Sequence, residues 1–127
     1  MLVIDTNIVV RVLMQDDVAQ ALRARQLVER NETLLLTTVL LESEWVLRSV
    51  YRMGRTAIAE ALGQFIALPL VTLEHPSRAM KALALFGKGH DFADAMHLAA
   101  ADGYEAFATF DRQLVRRGAG DIPVREP

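Results

Sequence analysis

The chain has 127 residues, 52% of them hydrophobic, with 14 Lys and Arg against 16 Asp and Glu for a formal net charge of −2. That length and apolar content predict one folded domain over residues 1–127 rather than a disordered chain. There is no Cys, which excludes a disulfide framework, a thiolate zinc site and a thiol nucleophile.

Met1 to Ile4 is an all-apolar run too short for a helix and bounded by Asp5-Thr6-Asn7, so it reads as a buried strand. Asn7 to about Gln15 predicts a short helix. Asp17 is placed to cap a longer one that reaches about Arg30, with Val18, Ala21, Leu22, Leu27 and Val28 as its apolar positions. Leu34 to Thr37 reads as the second strand, and Thr38 as the cap of a helix running to about Tyr51 and ended by Met53-Gly54. Arg55 to about Leu68 is helical up to Pro69, and Leu70 to Leu73 is the third strand. His75-Pro76-Ser77 opens a helix over 78–86, which the Gly87-Lys88-Gly89-His90 loop ends. Asp91 to about Asp102 is helical, Phe107 to Phe110 the fourth strand, and a short helix and an edge strand near 122–124 finish the chain. Strands alternating with helices argue for a parallel sheet covered on both faces. No apolar run approaches the roughly 18 residues of a membrane span, and the first residues lack a basic region followed by an apolar stretch and a small-residue cleavage site. The expectation is a cytoplasmic protein with no membrane partner.

Acidic residues punctuate this pattern. Asp5 and Asp111 each follow an apolar run read as a parallel strand, and ligands of open α/β sheets bind at strand carboxyl ends. Each acid also has a purely structural explanation. Asp5, Thr6 or Asn7 can start a helix, Asp111 can cap the helix holding Leu114, and Asp91 with Asp94 at i,i+3 has the spacing of a capping box. Glu42 and Glu44 compete for one role, because residues two apart on a helix point about 200° apart. Glu44 has Arg48 at i+4 and so reads as a surface ion pair. Glu42, flanked by Val39, Trp45 and Val46, is an acid on a largely apolar face that needs a partner and is the better ligand candidate. His97 reads as a packed or surface residue. Clustered carboxylates repel one another, and a divalent cation neutralises them, acidifies bound water and clamps a phosphodiester. Neutralising four acids also reverses the sign of the −2 charge, leaving a rim of arginines that includes Arg11, Arg48, Arg52, Arg55, Arg112, Arg116 and Arg117.

The segments MLVIDTN, LLESEWVLRSVYRMGR, GKGHDFADAMHLAAA and ATFDRQL, in this order over nearly the whole chain, resemble PIN-domain ribonucleases of the VapC toxin type. The resemblance implies a three-layer α/β/α fold with a central parallel sheet of four to five strands. It also implies an endoribonuclease site that depends on Mg²⁺ or Mn²⁺, with Asp5, Glu42, Asp94 and Asp111 as the catalytic and metal-holding acids. Asn7 and Thr109 fall on supporting polar positions, and Asp91 matches an auxiliary acid. An RNA substrate such as tRNA or another structured RNA, an antitoxin protein and a homodimer are implied as partners.

Two readings from other classes compete with the ribonuclease. A catalytically weak PIN-like module acting through protein or nucleic-acid binding would keep the same fold. A phosphatase expects a second Asp two residues after the first, where this chain has Asn7, and neither it nor a receiver-type site has a place for Glu42. Gly87-Lys88-Gly89 lacks the glycine spacing and the following Ser or Thr of a phosphate loop.

Overall fold

Two long helical crossovers dictate the first half of the chain, because parallel strands cannot be joined by a tight turn. A computed structural model describes residues 1–127, and they divide into two compact units, Met1–Pro76 and Ser77–Pro127. In the first unit, β1 (Leu2–Val3), β2 (Thr33–Leu35) and β3 (Val71–Leu73) form a parallel sheet with β2 in the middle. Leu2 pairs with Thr33, Val3 with Leu34, and Leu35 with Leu73. Helices α1 (Thr6–Met14) and α2 (Val18–Arg30) connect β1 to β2, and α3 (Thr37–Ser49) and α4 (Arg55–Ile66) connect β2 to β3. Their inward faces carry Val9, Val12, Ala24, Val28, Leu40, Leu47, Ile58, Leu62 and Phe65, all buried. The strand expected to be buried from Met1 to Ile4 is covered only at Ile4. Leu2 and Val3 remain 45% and 60% exposed, and within its sheet β1 is an edge strand bonded to β2 alone.

Local caps follow the sequence in part. Asp17 accepts from the Gln20 amide at 3.1 Å and starts α2 as expected. The start of α3 is a correction. Thr38 does not cap it; the cap position is Leu36, which has no side chain able to do so, and the Thr37 amide instead donates to Glu74 Oε1 at 3.0 Å. The parallel pairing of β2 with β3 explains this. It brings Glu74, whose own amide donates to Leu35 O at 2.9 Å, beside the first turn of α3, and the amide's donation holds the Glu74 carboxyl below its ordinary value.

The second unit contains all but the first residue of α5 (Pro76–Gly87), with α6 (Phe92–Ala101), β4 (Phe107–Ala108), α7 (Arg112–Arg117) and β5 (Val124–Arg125). β4 and β5 are parallel, with Phe107 opposite Val124. Ala95, Leu98 and Ala99 of α6 are buried, and Phe86 meets Phe92 edge to face at 5.1 Å. Gly89, at φ 108, lets the loop turn against Arg117. Arg117 donates from Nη1 to Gly89 O at 3.0 Å and from Nη2 to Lys88 O at 2.8 Å. A β-carbon at position 89 would stand 2.3 Å from that Nη2. The Gly-Lys-Gly loop therefore offers carbonyls to an arginine, the opposite of a phosphate cradle.

The five strands are hydrogen-bonded as three and two, with every strand pairing parallel. No helix is long and apolar enough to cross a membrane.

Candidate active site

In the first unit the turn from β1 into α1 brings two of the expected acids to one cleft. Asp5 is the N-cap of α1 and accepts from the Thr6 amide at 2.7 Å through Oδ1. The Thr6 hydroxyl in turn donates to Glu42 Oε1 on α3. Thr6 thus touches both carboxyl groups, by its amide and by its hydroxyl, while being only 6% exposed itself. Asp5, Thr6, Asn7, Arg11, Glu42 and Tyr51 line the cleft, whose volume is about 330 Å³. Both carboxylates are exposed, so water or an incoming ligand can reach them.

Glu42 and Glu44 point apart as expected, but their surroundings differ from those expected. The face that holds Glu42 is open, with Trp45 53% exposed. The buried face of α3 consists of Leu40, Ser43, Glu44 and Leu47. Glu44 is not a surface ion pair: it is 2% exposed, and Arg48 reaches in to donate to it from Nε at 2.9 Å. Helical geometry separates the two glutamates as expected, but it is the inward one that carries the compensating charge, since a buried carboxylate needs a partner.

In the second unit the capping explanations are realised. Asp91 is the N-cap of α6, and its Oδ2 accepts from the Asp94 amide at 3.3 Å. Asp94 sits half-buried in the first turn. Asp111 caps α7 through Oδ1, which accepts from Gln113 and Leu114 amides at 3.0 and 3.1 Å. Thr109 supports it directly: its hydroxyl oxygen accepts from the Asp111 amide at 3.0 Å. His97 stacks on Phe107 with ring centres 6.4 Å apart, a packing role. Arg112 pairs with Glu126 at 3.4 Å.

Capping engages only Oδ1 of Asp5 and of Asp111, so each keeps its second oxygen for another ligand. Within neither unit do three or more His, Asp or Glu side chains stand close enough to hold a metal ion by themselves. Asp5 and Glu42 nevertheless suit a hard cation such as Mg²⁺, which retains several waters and is held by one or two carboxylates together with substrate phosphate oxygens.

The pattern of the family described as PIN domain matches residues 2–120. The chain belongs to the PIN domain family. None of the curated proteins compared with it matches. PIN domains are generally nucleases, hydrolases acting on nucleic acids, and typically bind divalent metals such as Mg²⁺. The mixed α/β architecture with all-parallel strand pairing is a PIN-like fold.

Thr6 is the residue that sequence reasoning passed over. In the PIN-domain segment Asp5-Thr6-Asn7 it read only as a rival cap, because a hydroxyl's partner 36 residues away is invisible without the packing of α1 on α3. Tyr51 is a second such case. Its hydroxyl donates to Asp16 Oδ2 at 2.7 Å, which raises the phenol's pKa and holds the Asp16 carboxyl low.

Proposed function

We propose that this PIN domain is a Mg²⁺- or Mn²⁺-dependent endoribonuclease that hydrolyses RNA phosphodiester bonds, with Asp5, Glu42, Asp94 and Asp111 as its acids. The observation that carries the reading is the Asp5–Thr6–Glu42 arrangement, two exposed carboxylates tied through one buried threonine at the lip of a cleft. The backbone cap fixes Asp5, so its free oxygen has little freedom. The threonine hydroxyl fixes one Glu42 oxygen and leaves the other to bind. Asp111, fixed by two amides and by Thr109, is restrained in the same manner. Asp94 is held at the start of α6, and Asp91 serves that helix as a cap. When bound, a divalent cation would supply acidified water and charge neutralisation for in-line attack on the phosphodiester. Asp5 and Glu42 would hold it at the cleft they line, which is open to a backbone phosphate.

The toxin role within a type II toxin–antitoxin pair, a cytoplasmic setting, homodimerisation and binding of a cognate antitoxin belong to the same proposal. They rest on the likeness of the four quoted segments to VapC-type toxins. The test of the chemistry is cleavage of single-stranded and tRNA substrates by the purified chain in Mg²⁺, repeated in excess EDTA and with Asp5→Asn. Loss of cleavage in both arms supports the proposal. Equal cleavage in either arm overturns it, and RNA binding without any cleavage by the unaltered chain supports the non-catalytic module instead. The toxin role is tested by inducing the chain in a bacterial host: growth arrest that Asp5→Asn abolishes supports it, and unaffected growth overturns it.

A further inference from the structure

Of the arginines that sequence alone leaves as candidates to meet the substrate backbone, Arg11 lines the cleft that holds Asp5 and Glu42. Arg48 is turned to Glu44, Arg112 to Glu126 and Arg117 to the carbonyls of Lys88 and Gly89. Arg11 is held on two sides. Its Nε donates to Gln20 Oε1 at 2.7 Å, and its Nη1 lies 3.4 Å from Asp16 Oδ1. The other oxygen of Asp16 accepts from the Tyr51 hydroxyl at 2.7 Å. Tyr51 also lines the cleft, so the bracing chain begins and ends on its wall. A guanidinium carries five N–H donors in a rigid plane, which outnumber the partners Gln20, Asp16 and Tyr51 that engage Arg11, so donors remain for an incoming anion. The side chain is 30% exposed, so part of it faces solvent while Gln20 and Asp16 restrain its head.

We propose that Arg11 is the residue of this cleft that binds a phosphate of the RNA backbone, and that Asp16, Gln20 and Tyr51 are positioning residues that aim it. The assignment rests on the ribonuclease reading above. A pre-oriented guanidinium loses less freedom on binding than a mobile one and matches two phosphate oxygens at once. Asp16 restrains Arg11 without monopolising it, because the carboxylate divides its oxygens between the guanidinium and the Tyr51 hydroxyl. A plain structural cross-link between the end of α1 and the end of α3 would use the same bonds, so a readout specific to phosphate decides between them.

That readout is the salt dependence of RNA affinity, whose log–log slope flattens by about 0.7 for each phosphate of a single strand that the protein no longer neutralises. Binding of a fluorescein-labelled single-stranded RNA to the full chain carrying Asp5→Asn, in Mg²⁺, is followed by anisotropy across a salt series. Cleavage KM and kcat are measured on the chain with Asp5 intact. Arg11→Gln is expected to weaken binding about tenfold and flatten the slope by about 0.7, raising KM more than it lowers kcat. Arg11→Lys recovers part of the affinity and all of the slope, since a point charge keeps the ionic interaction but not the fork. Tyr51→Phe weakens binding by about two- to fivefold with the slope unchanged, the effect of removing one hydrogen bond and no charge. Arg30→Gln, an exposed arginine outside the cleft, changes neither. An unchanged slope and KM in Arg11→Gln, with thermal unfolding intact and RNA still cleaved by the unaltered chain, overturns the role of Arg11 alone. RNA bound but never cleaved overturns the ribonuclease reading and leaves Arg11 to be judged by the slope. No RNA binding at all overturns both.

Discussion

Replacing Thr6 by Val removes the hydroxyl that donates to Glu42 and keeps the shape of a side chain only 6% exposed. Two routes lead to the size of the effect. A hydrogen bond to a charged group contributes about 1.5–3 kcal/mol, and the lower end applies because Glu42 is exposed and water can replace the missing donor. Releasing a glutamate side chain returns up to ~2 kcal/mol of rotamer entropy that must then be given up again at each turnover. Both point to roughly 1.5–2 kcal/mol in the barrier, or about a ten- to thirtyfold fall in rate at 1.36 kcal/mol per tenfold. Stability responds less, since the loss of this bond is offset in part by the apolar methyl placed in a buried position. The assay is steady-state cleavage of a single-stranded RNA in Mg²⁺, with thermal unfolding of the same samples. Thr6→Ser, which restores the hydroxyl, is expected within about threefold of the unaltered rate, an effect smaller than one hydrogen bond. A Thr6→Val chain that cleaves at full rate, while Glu42→Gln is inert, would refute the claim that this bond positions Glu42.

Further perturbations test the frame that carries the site. Leu47→Ala, at a position that is 0% exposed on α3, should cost about 2–5 kcal/mol in urea unfolding; a smaller effect would mean that α3 is held mainly by other residues. Gly89→Ala should cost about 1–3 kcal/mol because an alanine is strained at φ 108 and would push Arg117 off its two carbonyls; an unchanged midpoint would refute the loop assignment. Glu74 is held below its ordinary value of 4.5 by the Thr37 amide. A carboxyl lowered by folding contributes stability above 4.5 that disappears as pH falls through the lowered folded value. Glu74→Gln should therefore flatten the acid limb of a stability–pH curve, and an unaltered limb would show that the bond contributes nothing.

The sequence by itself determined the alternation of strands and helices, because short apolar runs and 3.6-residue periodicity are local signals. It also located Asp17, Asp91 and Asp111 as caps, since a capping side chain bonds amides two or three residues on. The separation of Glu42 from Glu44 was legible for the same reason, being a matter of helical angle alone. Which of the two faces was buried was not legible. Val39, Trp45 and Val46 made the Glu42 face look apolar, yet the buried side of α3 is that of Leu40 and Leu47, and Glu44 takes the inward position with Arg48 as its counter-charge. Tertiary structure alone decided the bonds that span long stretches of chain: Thr6 to Glu42, Tyr51 to Asp16, and the Thr37 amide to Glu74. Each joins groups brought together by parallel strand pairing or by helix packing. Composition and periodicity fix what a segment becomes, whereas the partner of a buried hydroxyl or amide is fixed by which segments come to lie side by side.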